Sequence, residues 1–429
     1  MFCPVSQTFP FLQELPLNVP FGNIDGNVPN VTENVQDSLP TNKIEDSVPK
    51  YEPIHSSPGL NFSGRDINSR TTMLGGGGGS GQTDEAVLAG LRWLMSVQQP
   101  NGAWHFSGTF LQSAPVRYED TLAATAMALL AFQGYGITPD SKHPQLVEFV
   151  RPVRRGWEWL LKQQNPDGSF YTPLPGTLPS NHRFYTHGFC TLALCELLAM
   201  TGDESLREPA QRSIDYCIWH QSIRCGGWRY LPDRFSEQSD VSVTGWIVLA
   251  LKSGQAAGLT VPPETYHNVM TFLDSMMVVN QYRYREEESE PLIAMTAEAL
   301  FCRIMLGWKR TDQRLAAGVK LILETPPSFG QTPPSFEDHY QRDVYYWFFA
   351  TQTLYHYGGN EWRTWNLIMQ EELLQHQEKF GAEVGSWNPD RPARDKWGYL
   401  YGRLYTTCMS LYILEVYYRH RRLLTESVL

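Results

Sequence analysis

The run Asp240-Val-Ser-Val-Thr244 sets one carboxyl and two hydroxyls at the head of a strongly apolar segment. Other reactive or aromatic residues stand at the same point of similar segments: Glu119 and Asp120, His187, Asp343 with Tyr345, Tyr346 and Trp347, and Arg403 with Tyr405. Carboxyls among aromatic rings can protonate an apolar substrate or order a cation, and each ring facing a cation contributes about 0.5–2 kcal/mol. Asp240 and Asp343 are therefore the candidate acids, and Glu119, Asp120, His187, Ser242, Tyr345, Tyr346, Trp347, Arg403 and Tyr405 the candidate cavity residues. Ordinary roles compete with each assignment. An Asp at a helix start serves as an N-cap, and the helix dipole lowers its pKa from about 3.9, which favours an anion over a proton donor. His187 fits a core position as well as a cavity, and Glu286–Glu288 reads as a solvated loop or as the source of a displaced acid.

Metal chemistry is not expected, and no cofactor is implied. Cys217, His220 and Cys225 have a C-x2-H-x4-C spacing that suits zinc, but a fourth ligand is missing. No Asp-Asp pair occurs in the chain, so an aspartate-rich magnesium site is absent from the sequence.

The segments that must position these residues are helices. Six runs, starting at Glu119, Tyr185, Asp240, Glu290, Arg342 and Gly402, mix small and large apolar residues on every face, the pattern of buried helices. Each follows an amphipathic stretch: residues 83–99, 145–164, 205–221, 263–278, 312–324 and 360–378. Strict alternation of six outer with six inner helices predicts an all-α fold, an α6/α6 toroid over residues 83–422, with 423–429 a flexible C-terminus. Residues 1–82 are rich in proline and polar residues and end in the run GGGGGSG, so they read as a disordered tail and tether, dispensable for folding.

Composition limits the partners. The 429 residues carry a net charge of −10, which argues against nucleic acid. No run of 18 apolar residues is present, so any membrane association would be peripheral. Seven cysteines scattered through helices do not form a disulfide framework, and with no secretory signal the expected location is cytoplasmic or cytoplasm-facing.

A second repeat joins outer to inner helices. GLRWLMSVQQPNGAW (residues 90–104) and GWEWLLKQQNPDGSF (156–170) share Gln, then a Gly turn, then an aromatic, with weaker copies in YCIWHQSIRCGGW (216–228) and LLQHQEKFGAEVGSW (373–387). These resemble the QW repeats of the squalene-hopene cyclase-like proteins of the terpenoid cyclase and protein prenyltransferase superfamily. That resemblance implies a central cavity lined by inner-helix N-termini and holding an isoprenoid. Class II terpenoid cyclases of this family protonate an alkene with the middle Asp of D-x-D-D-T. The segment at Asp240 is similar in frame, but Ser242 and Val243 stand where two carboxylates belong. The prenyltransferase zinc set also lacks its thiolate here. The implied function is a terpenoid cyclase with a displaced acid; the alternative is a non-catalytic relative that binds an apolar ligand or a protein partner.

Overall fold

The computed structural model describes residues 59–108, 110, 116–171, 183–288, 290–330 and 342–424. Six helices are buried almost all round: α3 (Thr121–Gly134), α5 (Arg183–Thr201), α7 (Val241–Ala256), α9 (Ile293–Met305), α11 (Val344–Tyr357) and α13 (Gly398–Leu414). Glycines let neighbouring inner helices approach, as where Gly188 of α5 meets Ile247 of α7. The outer helices are α2 (Gly81–Ser96), α4 (Val147–Leu161), α6 (Arg207–Trp219), α8 (Pro263–Met276), α10 (Gln313–Leu323) and α12 (Gly359–His376). Helix α4 shows their logic, burying Phe149, Val153, Trp157 and Leu160 on one face and turning charged residues outward.

Each inner helix packs on the next, and α13 returns to α3 while α12 returns to α2. Tyr412 of α13 donates to the Met127 carbonyl of α3 at 2.6 Å across a separation of 285 residues. The result is a closed α6/α6 double ring. In α13 the helix proper starts after Gly402, whose φ of 73° breaks the turn that precedes it.

The Gln–Gly–aromatic connectors hold the outer ring together by one geometry used four times. The amide nitrogens of Gln98, Gln164, Gln221 and Gln377 each donate to a carbonyl of their own turn: Gly102 (2.8 Å), Gly168 (3.2 Å), Gly226 (2.7 Å) and Gly385 (2.9 Å). Each also donates to the next outer helix: Pro152 (2.8 Å), Pro209 (2.8 Å), Thr265 (2.9 Å) and Ala86 (2.8 Å). Three residues further along those helices, the carbonyls of Arg155, Arg212, Asn268 and Ala89 press against the four glycines at 2.2–2.5 Å from where a Cβ would sit. Positive φ and that contact both require glycine. The aromatic closes the inner side. Trp104, Trp228 and Trp387 donate indole N–H back to Leu94, Cys217 and Leu373, and their backbone N–H groups donate to Thr125, Thr244 and Thr407 on the following inner helix.

The boundary expected at residue 82 is corrected. Residues 63–77 form a short 3-10 turn and helix α1 (Ile67–Gly77), packed on α14 (Val416–Arg419). The glycine run ends this helix rather than acting as a tether, with Gly78 in the left-handed conformation and Gly77 and Gly79 against the Tyr417 ring. Trp362 donates to the Gly77 carbonyl at 2.7 Å. Composition alone hid this because glycines usually loosen a chain, whereas here they allow close approach. At the other terminus Leu423 donates its N–H to His356 and Leu424 is buried, so these two residues belong to the packed body. Residues 1–58 and 425–429 of the expected tails lie outside the described residues.

Candidate active site

All six inner helices begin at the same end of the ring, and there a cluster of buried acids and tyrosines collects. Asp240 is the N-cap of α7 and fully buried. Its Oδ1 accepts from the Val243 N–H at 2.7 Å and from Ser242 Oγ at 2.9 Å, while its Oδ2 is buried without a hydrogen-bond partner. Burial pushes its pKa up to about 6, against the lowering effect of these bonds and of Arg229 and Arg285. The expectation of a lowered pKa is thereby reversed: the capping bonds are present, but loss of solvent outweighs them.

Glu298, inside α9, is the second acid of the cluster. It fills the niche opposite Gly245 of α7, where a Cβ would lie 2.1 Å from its Oε1. That oxygen is also buried without a partner. Burial raises its pKa well above the ordinary range, and the nearby Asp240 adds to the rise. The Tyr345 hydroxyl lies 2.8 Å from Glu298 Oε2 and 3.2 Å from the Ser242 carbonyl. Tyr345 donates to Glu298, which opposes the rise that burial imposes on that carboxyl. Tyr185 completes the group by donating to Ser242 Oγ at 2.5 Å, and Tyr230 and Tyr284 meet hydroxyl to hydroxyl beside it.

One helical turn deeper the packing becomes aromatic. Trp246 stacks on Phe348 at 5.1 Å with their planes 4° apart, and Phe189 and Phe349 approach the same indole at 4.4 and 5.2 Å.

Among the expected residues, Asp240, Ser242 and Tyr345 share this network. Asp120 sits at its edge as the N-cap of α3, accepting from Thr186 of α5, with its pKa raised by burial. Tyr405 lies on α13, 5.6 Å from the Tyr401 ring. The others serve the shell between the rings. Glu119 accepts from the backbone of Phe106 and Ser107 at 3.1 and 2.7 Å. Asp343 caps α11 and pairs with Lys396 at 3.4 Å. Tyr346 donates toward Ile322 and Thr325, Trp347 packs on Phe329, and Arg403 reaches Ser386 and Glu378.

His187 occupies the repeat's threonine position. Its Nδ1 accepts the Phe170 N–H at 3.2 Å, as Thr125 does for Trp104, so its Nε2–H donates to Ser213 at 3.1 Å. Burial lowers its pKa to about 4, which keeps it neutral. Nearby, Cys217 is buried in the core and His220 Nδ1 donates to Tyr216. Among the described residues no three His, Cys, Asp or Glu side chains form a metal-binding group, and no helix is long and apolar enough to cross a membrane.

Sequence reasoning missed Glu298, Tyr185, Tyr230 and Tyr284. The available signal was an acid within the apolar run Ala294–Phe301, where a charge is costly unless it has a use.

No protein-family model matches the sequence, and no curated protein matches it. Solved structures do. A type II terpene cyclase, MstE from Scytonema, superposes with a TM-score of 0.50 at 13% identity, covering 79% of this chain and 97% of its own. The GH76A α-1,6-mannanase from Salegentibacter does so with a TM-score of 0.51 at 10% identity, covering 78% of this chain and 98% of its own. The likeness extends over the whole of both neighbours but is one of fold, and two different chemistries share it.

Proposed function

We propose that the chain is a terpenoid-cyclase-like enzyme in which a displaced acid pair, Asp240 and Glu298, starts cyclisation of a linear isoprenoid. The carrying observation is the Asp240 carboxyl: buried, with one oxygen fixed by two donors and the other unpartnered, and with a pKa of about 6. A carboxyl poised near neutrality is far better suited to proton transfer than one near 3.9. The proton on Oδ2 passes to an alkene carbon, the positive charge migrates as rings close over the Trp246–Phe348 pair, and loss of a proton from the product cation restores the balance. Glu298 supplies from α9 the second carboxyl that the sequence lacks at Ser242 and Val243. The four Gln–Gly–aromatic turns support reading the repeat as a QW repeat, and the Scytonema cyclase offers a precedent for the chemistry on this fold. Exposed Ile223, Phe235, Val279 and Phe380 lie in connectors leading to the inner-helix N-termini, and exposed Trp219 ends α6 where one of those connectors starts, which favours peripheral contact with a membrane at that end.

The test is incubation with farnesol, geranylgeraniol and squalene, with products read by mass spectrometry. Cyclised product is expected from the wild type and not from Asp240→Asn. If no cyclised product forms but one of these compounds raises the unfolding midpoint, the ring is a binding protein; if neither occurs, the cavity is not an isoprenoid site.

A further inference from the structure

We infer that Arg229, beside Asp240, forms a subsite for an anionic head group, a carboxylate or a phosphate, carried by the apolar ligand. The inference rests on the isoprenoid reading of the cavity and names the ligand class more narrowly. Its basis is how two Arg–Tyr pairs flank the acid. The Asp240 N–H donates to the Trp228 carbonyl at 3.0 Å and the Val241 N–H to the Tyr284 carbonyl at 3.1 Å, so residues 228–230 and 284–285 are anchored on either side of Asp240. Tyr230 and Tyr284 join through their hydroxyls, and each carries the neighbouring guanidinium, Arg229 or Arg285, 5.3 Å from its ring centre.

The two arginines differ in their partners. Arg285 bonds Glu288 at 3.0 Å and lies 3.7 Å from Glu287. Arg229 is half-buried and makes no ion pair among the described residues, and its Nη1 is shut from solvent without a hydrogen-bond partner. An unpartnered buried donor costs about 1–3 kcal/mol, and such a group calls for an acceptor from outside the chain. The planar guanidinium fork suits an oxyanion.

Binding there would also bear on the acid. The groups facing Asp240 are Ser242 on its own helix, Tyr185 on α5, Arg229 and Tyr230 before α7, Tyr284 and Arg285 before α9, and Glu298 on α9. Arg229 and Arg285 are the cations among them. An anion on Arg229 cancels part of the field that favours the Asp240 carboxylate, so binding should take up a proton.

Titration calorimetry with farnesol, farnesoate, farnesyl diphosphate and inorganic phosphate tests this in wild type, Arg229→Gln and Arg229→Lys, each checked for an unchanged unfolding midpoint. At least one farnesyl anion should bind about tenfold tighter than farnesol, with proton uptake in buffers of different ionisation enthalpy. Arg229→Gln should erase that preference without changing farnesol affinity, and Arg229→Lys should keep part of it. Farnesoate and farnesyl diphosphate distinguish the carboxylate from the phosphate. Equal affinity for farnesol and both anions overturns the subsite while leaving the isoprenoid cavity intact, and so does an anion preference that survives in Arg229→Gln. Inorganic phosphate binding as tightly as farnesyl diphosphate keeps the subsite and overturns the isoprenoid reading; binding of none of the four overturns both.

Discussion

At the C-terminal end of the inner helices, Glu196 and Glu415 are buried with Arg65, Arg419 and His420. At the N-terminal end, Asp240 and Glu298 are buried among tyrosines, with no cation within ion-pair distance among the described residues. The first set is built like a bolt. Arg65, from the turn before α1, bonds Glu196 at 2.7 Å and the Arg419 carbonyl at 2.8 Å, and Arg419 bonds Glu415 at 2.8 Å, so the segments around Arg65 and Arg419 are locked onto α5. The second set leaves carboxyl oxygens unpartnered in the same dry surroundings. Burying an acid without a cation costs stability unless the acid keeps its proton, and a kept proton is one that can be delivered. The same ring thus pairs buried carboxyls with cations at one end and leaves Asp240 and Glu298 without them at the other.

The largest test of that contrast is to break the bolt. Arg419→Met leaves Glu196 and Glu415 short of a counter-charge, and the expected cost is about 3–5 kcal/mol in denaturant unfolding. A chain starting at Gly81 loses Arg65 and Arg70 and should also unfold at a lower midpoint. If both changes leave the midpoint unaltered, the ion cluster is not what secures these segments.

What could be read in the sequence follows from how locally each feature is encoded. The alternation of helices and the Gln–Gly–aromatic turns are written within stretches of about 15 residues, and the ring has them as expected. His187 looked ambiguous because a histidine stands where the repeat elsewhere has threonine, and only the Phe170 N–H explains it. Glu298 could not be placed, since its niche is made by Gly245 on another helix and its hydrogen-bond donor Tyr345 lies on a third. Arg65 was hidden in a segment whose composition resembles a linker, because its partners lie 131 and 354 residues away.

A second, intermediate test uses pH, since Glu196 and Asp240 should respond with opposite sign, whereas burial pushes Glu415 up to about 8 despite Arg419 and Arg65. Burial alone would raise the Glu196 carboxyl, but Arg65 and Arg419 hold it well below the usual range. Its contribution is therefore present above its unfolded pKa of 4.5 and is lost as pH falls below that value. Asp240 runs the other way, rising from 3.8 to about 6, so its cost is absent below about pH 4 and complete above about pH 6. At pH 7.5 that cost is about 3 kcal/mol, from roughly two units at about 1.4 kcal/mol each. Asp240→Asn should therefore stabilise the protein at pH 7.5 by up to this amount, yet leave its stability at pH 4 nearly unchanged. Unfolding series from pH 4 to 8 on both proteins would show it, and parallel curves would mean that Asp240 reaches solvent.

The smallest expected effect isolates one bond. Ser242 Oγ donates to Asp240 Oδ1 and accepts from Tyr185, so it favours the carboxylate and lowers the pKa that burial raises. Ser242→Ala removes that donor but leaves the Val243 N–H on the same oxygen and keeps the helix cap. The Asp240 pKa should then rise by about one unit, the low end of the worth of one hydrogen bond to a charged group. In an active preparation the alkaline limb of the pH–rate profile should move up by the same amount, with the maximal rate little changed. A carboxyl-stretch titration by infrared difference against Asp240→Asn reports the same shift without turnover. A downward shift would mean that Ser242 donates elsewhere and that Tyr185 faces Asp240 directly, giving this end of the ring a hydrogen-bonded acid rather than a poorly solvated one.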